Sequence, residues 1–156
     1  CLTELGYDYI MPSPELTGVQ LASIAEHSAL AGRMLIGIHG RTPLMQLLHC
    51  PIKEHKGCQN CMGIAGAVTD EAGRVFPLVN IRYPDNCLVR MLNCRTTDLI
   101  DLFDRIPQTA GYVLNFVGEQ IDEVTERIAA ANEAMNGKRQ TQYPNSTRGH
   151  WMRKVE

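Results

Sequence analysis

Cys50, Cys58, Cys61 and Cys87 constrain this chain more than any other feature. They follow the pattern Cys-x7-Cys-x2-Cys-x25-Cys, with three of them inside Cys50-Pro-Ile-Lys-Glu-His-Lys-Gly-Cys58-Gln-Asn-Cys61. A Cys-x2-Cys pair lets two thiolates reach one metal from a single tight turn, and Gly57 beside it tolerates the backbone angles such turns need. The fold must then bring a polar loop and the far side of a hairpin to one centre. Disulfides would require an oxidising compartment. Six cysteines and seven methionines in 156 residues suit a chain with a core of its own, not a small stapled scaffold.

The spacing also bears on the metal. Cys50 is followed by Pro51, as is the last cysteine of bacterial ferredoxin runs. Only one Cys-x2-Cys pair is present, where a zinc ribbon more often carries two. The pattern tilts toward an iron–sulfur cluster and leaves structural zinc open. Cys94 is set aside by strand parity: an odd separation from Cys87 on a predicted strand turns it to the opposite face. His49 and His55 are read as solvated, since four thiolates already fill a site. Cys1, near a chain end, is given no role.

The length is about that of one domain, and 44% hydrophobic and 21% charged residues are ordinary for a globular protein. A net charge of −2 provides no global field for nucleic acid, although Lys138, Arg139, Arg148, Arg153 and Lys154 make the end of the chain basic. No run approaches the ~18 apolar residues of a membrane helix, so no membrane association is expected and the cytoplasm is the expected location.

Hydrophobic periodicity alternates between strands and helices, which argues for a parallel α/β class. Tyr7 to Met11 reads as a strand. Thr17-Gly-Val-Gln20 reads as a capping box opening a helix to about Leu30. Arg33 to His39 and Tyr112 to Val117 read as buried strands. Thr97-Asp98 reads as the cap of a helix to about Ile106. Glu119 to Met135 reads as a helix with Ile121, Val124, Ile128, Ala131 and Met135 on its packed face. Three strand–helix units are visible, at 7–30, 33–48 and 111–136. The cysteine loop and a hairpin turning at Asp70 and Gly73 are inserted at 50–94, followed by Leu88 to Leu92 as a strand. Residues 1–137 thus form the α/β part, and 138–156 an extended basic tail.

The chain opens on Cys1 in what resembles the last turn of a helix. Three units are too few for an eightfold barrel, so the expectation is the later part of a TIM-barrel-like fold. Its partner would be the remainder of its own barrel, and open sheet edges would invite a second copy of the chain. In such barrels chemistry gathers at the C-terminal strand ends, here Glu15, His39 to Arg41, the cysteine loop and Asn115. Glu15 and Arg41 are the candidate catalytic residues, Arg41 as a bidentate donor to a carboxylate or phosphate. The plainer role for both is a structural ion pair at the barrel rim.

Gly40-Arg41-Thr-Pro43-Leu44-Met45, then Cys50-Pro51, then Cys58 and Cys61 resemble the collagenase-like peptidase family U32. So do Thr69-Asp70, Gly73, Phe76-Pro77, Cys87, Leu92-Asn93 and Thr147-Arg148-Gly149-His150. The Ser13-Pro-Glu15 strand end also fits. The resemblance covers nearly the whole chain and corresponds to the later part of the family's core domain. Lys154 departs from an expected glycine and Cys94 from an expected serine. The resemblance implies an incomplete TIM-barrel-like fold and a peptidase label. It also implies a second activity, in which a 4Fe–4S cluster held by Cys50, Cys58, Cys61 and Cys87 supports oxygen-independent hydroxylation of RNA bases or quinone precursors. The residues themselves offer proteolysis no support: there is no His-Glu-x-x-His, and a four-thiolate site is coordinatively full. Iron–sulfur-dependent RNA modification is therefore preferred, with RNA as the possible substrate. The alternatives are a metal-stapled peptidase and a zinc-stabilised binding domain. The isolated chain, lacking barrel strands, is expected to be inactive alone.

Overall fold

A computed structural model describes residues 6–58, 61–83 and 87–153. They form two compact units. The first joins the residues before Arg41 to those after Thr96, and the second is Arg41–Thr96. The second unit is wider than the 50–94 insertion expected from sequence.

In the first unit, Thr17 caps α1 (Gly18–Ala25) with the expected reciprocal box to Gln20. The helix breaks before α2 (Ser28–Ala31). The predicted strand at 7–11 is reduced to one parallel bridge between Ile10 and Met34. β1 (Leu35–Gly40) pairs in parallel with β7 (Gly111–Leu114) on one side and antiparallel with β6 (Thr97–Asp98) on the other. The sheet is thus three-stranded, in the order β6-β1-β7. The class is mixed α/β with two sheets and short helices, and no closed barrel is formed among the described residues.

Two local expectations are corrected. Thr97-Asp98 is a strand, not a helix cap, and is followed by a short 3-10 helix, Ile100–Arg105. Pairing with β1 outweighs the local capping preference. α4 (Ile121–Met135) forms as expected but buries Arg127, Ala130, Ala131 and Ala134, while Ile121 and Met135 are 74% and 56% exposed. It lies against the 3-10 helix, where small alanines permit close approach and larger side chains would hold the helices apart.

The described residues after Met135 form few regular elements but are not loose. Trp151 is buried, its carbonyl accepts from Gly18 N–H at 3.0 Å, and a Cβ added at Gly18 would lie 2.6 Å from the indole ring. Gly18→Val is therefore expected to cost about 1–3 kcal/mol by overpacking. Trp151 is the sole tryptophan, so denaturant titration followed by its fluorescence measures this cost directly. An unchanged midpoint would show that Trp151 does not dock on α1.

The second unit is an antiparallel sheet in the order β2-β5-β4-β3. Its strands are β2 (Pro43–Leu47), β3 (Gly63–Thr69), β4 (Val75–Arg82) and β5 (Cys87–Leu92), with α3 (Pro51–Lys56) between β2 and β3. The β3–β4 turn is held by Asp70, whose carboxylate accepts from Arg74 N–H and Nε and from Ala72 N–H. The bond from the Arg74 backbone N–H, foremost, keeps the Asp70 carboxyl below its usual range. Ile52 of α3 reaches the position a Cβ at Gly66 would fill, at 3.6 Å, so the helix covers the face that also carries Leu78, paired with Gly66. Leu78, Val89 and Leu92 are the only apolar side chains fully buried among this unit's described residues. Across the described residues of both units, no helix is long and apolar enough to cross a membrane.

Candidate functional site

The sheet register of the second unit puts three of the cysteines at one end. Leu47 pairs with Val89, Val89 with Asn80, and Asn80 with Gly63, making one row across all four strands. Cys50 lies three residues beyond that row on the β2 side. Cys87 opens β5 opposite Arg82. Cys61 lies two residues ahead of Gly63. All three are therefore at the same end of the sheet. Cys50 caps α3, its Sγ accepting from Lys53 N–H at 3.5 Å. Cys58 follows the other end of that helix, just past Gly57, whose φ of 76° is the left-handed geometry expected there. The helix thus carries one thiol at its start and one just past its end, and the sheet end bears two more.

These thiols do not yet stand together. Among the described residues, no three metal-ligating side chains are close enough to hold one ion. The chemistry of the donor set nevertheless fits a soft metal. Continued past the strand ends, Cys61 and Cys87 are two strand spacings apart, about 10 Å. A cluster of several irons bridges that span more readily than one zinc, whose thiolates must meet within about 4 Å of each other.

Cys94 lies two residues past the opposite end of β5, an end itself about 17 Å from Cys87 at ~3.3 Å per residue. Its Sγ donates to Asn93 Oδ1 at 3.5 Å. Distance along the strand, more than facing, separates it from the other four. His49 and His55 are exposed, with His49 Nε2 3.0 Å from Glu54.

Of the two candidate catalytic residues, Arg41 has structural partners for its side chain. Arg41 Nη1 donates to the carbonyls of Asn93 and Cys94 at 2.9 and 2.7 Å, clamping the end of β5. Glu15 is exposed, and its backbone N–H donates to Ser13 Oγ at 3.3 Å.

The first unit holds a polar pair that sequence reasoning did not connect. His39, near the C-terminal end of β1, has Nδ1 2.7 Å from Asp98 Oδ2, with side chains 1% and 0% exposed. Asp98 is held from every side. Its N–H donates to Thr147 O, its carbonyl accepts from Arg148 Nη1, and its Oδ1 accepts from Ile100 N–H. Arg148 grips Asp101 through both guanidinium nitrogens. Gly40 beside His39 has a φ of 142°, and a Cβ there would lie 2.7 Å from Asn115 O. No residue but glycine therefore fits between these strand ends. The His39 ring stands 5.2 Å from Phe116 and 5.7 Å from Tyr143, whose phenol burial pushes upward. Arg127 stacks over Tyr143 at 4.4 Å.

No family model, curated protein or solved structure matches this chain. The chemistry must then be judged from the residues. His39 and Asp98 have the relation of a base and the group that orients it. Yet His39 Nε2, the atom that would meet a nucleophile, is buried without a hydrogen-bond partner among the described residues. The nucleophile contact that acyl transfer requires is not made there.

Proposed function

We propose that the second unit is a thiolate metal module, in which Cys50, Cys58, Cys61 and Cys87 hold a 4Fe–4S cluster. The observation that carries this reading is the placement of Cys50, Cys61 and Cys87 at one end of a sheet that, among its described residues, buries only three apolar side chains. Units of roughly 60 residues and fewer have marginal cores, which structural metals commonly supplement. A bound cluster would supply one-electron chemistry. The chain's own residues position it: α3 presents Cys50 and Cys58, the sheet end presents Cys61 and Cys87, and Arg41 fixes the far end of β5.

On this reading the chain is the later part of a U32-type barrel, and the exposed stripe Ile121, Ile128 and Met135 on α4 supports packing against further strand–helix units of the same barrel. The activity would be oxygen-independent hydroxylation, with RNA as the preferred substrate, in the cytoplasm. Proteolysis draws less support, because no hydrogen-bond partner meets His39 Nε2 among the described residues. Zinc at the same thiolates would make the module purely structural, since four thiolates leave no open position.

Metal analysis decides between these. Protein purified without oxygen is expected to carry about four irons per chain with matching acid-labile sulfide. Colourless protein with stoichiometric zinc after anaerobic reconstitution with iron and sulfide would overturn the cluster reading.

A further inference from the structure

Asn80 is an anomaly in its strand. It lies among Phe76, Leu78, Val79 and Ile81 in the middle of the sheet, is 5% exposed, and leaves its Oδ1 with no hydrogen-bond partner among the described residues. A buried amide so placed costs stability unless something uses it. Its Nδ2 donates twice, to the Cys61 carbonyl at 3.0 Å and to Cys61 Sγ at 3.3 Å. The second contact is a side-chain N–H on a sulfur, within the range of a real N–H···S bond.

Strand alternation places the same amide near a second thiol. Asn80 pairs directly with Val89, and Cys87 is two residues from Val89, so all three side chains share one face. That is also the face α3 covers, because Gly66 is paired with Leu78 and looks onto Ile52. Asn80 therefore lies between the strands of Cys61 and Cys87, on the side of the sheet where a metal would be held.

We infer that Asn80 is a positioning and tuning residue for the metal centre: it orients the Cys61 sulfur and, through its N–H···S bond, raises the reduction potential of a cluster bound there. This rests on the cluster reading above. The direction follows from charge. Reduction adds one electron and so more negative charge to the thiolate-bound cluster. A donor to sulfur favours the more negative state, and removing it shifts the couple to lower potential.

Asn80→Val and Asn80→Thr test this, since the two side chains have nearly the same shape, both suit a strand, and only threonine keeps a donor. The anaerobically prepared, iron-loaded protein is titrated electrochemically and its iron content measured alongside. The expected result is full iron in both variants, a midpoint potential in Asn80→Val below wild type, and partial recovery in Asn80→Thr. Iron-loaded Asn80→Val with the wild-type potential would overturn the inference while leaving the cluster intact. Iron lost from both variants but kept by wild type would also overturn the tuning role and make Asn80 purely structural. Wild-type protein that takes up no iron would instead defeat the cluster reading itself, so the two failures are distinguishable.

Discussion

Asp98→Ala is expected to destabilise the first unit by about 3–5 kcal/mol, the range for removing one partner from a buried, hydrogen-bonded pair. The size comes from how many groups depend on this carboxylate. His39 Nδ1 and Ile100 N–H both turn to it, and neither can reach water in its place, because Asp98 is fully buried and the His39 side chain nearly so. Each becomes an unsatisfied buried polar group, and a cavity opens besides. For a domain of about 100 residues, a loss of this size lowers the melting temperature by more than about 10 °C. Asp98→Asn, which retains an acceptor of the same shape, should cost clearly less. Arg148→Met should fall between them, since it removes the bidentate grip on Asp101 and the bond to the Asp98 carbonyl. Thermal melts of the three variants give the order. An Asp98→Ala protein as stable as wild type would show that the buried pair does not hold β6 to β1.

That pair also marks where sequence reasoning fell short. His39 was legible as a strand-end residue, because Met34, Leu35, Ile36 and Ile38 form an unmistakable buried strand. Its partner was not. Thr97-Asp98 before Leu99-Ile100 has the local form of a helix cap, and only pairing with β1, 59 residues away along the chain, converts it to a strand and buries the aspartate. A charged residue directly ahead of an apolar run was the available signal, since a buried carboxylate always needs a partner.

α4 shows a different limit. Its existence and ends were legible from periodicity, and so was Ala131 on the packed face, but Ile121, Ile128 and Met135 are exposed. Large apolar residues at helical spacing are the usual core signal, and here close packing on the 3-10 helix selected the alanines instead. The cysteine end of the second unit was the most legible part. The Asp70 and Gly73 turn sets the β3–β4 hairpin, and once that is set, Cys61 and Cys87 must fall at the opposite end from the turn. Asn80 could have been flagged as the one amide among the apolar residues Phe76 to Ile81 of β4, but what its side chain touches is a tertiary fact.

The largest effect is expected from the thiols themselves. Cys58→Ser with Cys61→Ser should abolish metal binding and unfold the second unit, whereas Cys94→Ser should leave both untouched. Three fully buried apolar side chains contribute about 5–9 kcal/mol together. Structural zinc contributes about 10–16 kcal/mol in zinc-finger peptides whose folding depends on it, which sets the scale for a thiolate metal. On the metal-module reading, the metal then stabilises a unit with so small a core more than the buried side chains do. Removing it leaves the antiparallel sheet without enough buried surface to offset the entropy of ordering its chain. Serine is nearly the same size as cysteine and fits the same backbone, so the change removes a ligand and little else. Cys94 lies past the other end of β5, where its sulfur bonds Asn93, and it serves as the internal control. The readout is hydrogen exchange across Arg41–Thr96 together with metal content per chain, measured on protein prepared without oxygen. Slow exchange in β4 and β5 of the double variant would show that the sheet stands without its metal, and loss of metal in Cys94→Ser would show that the ligand set is wrong.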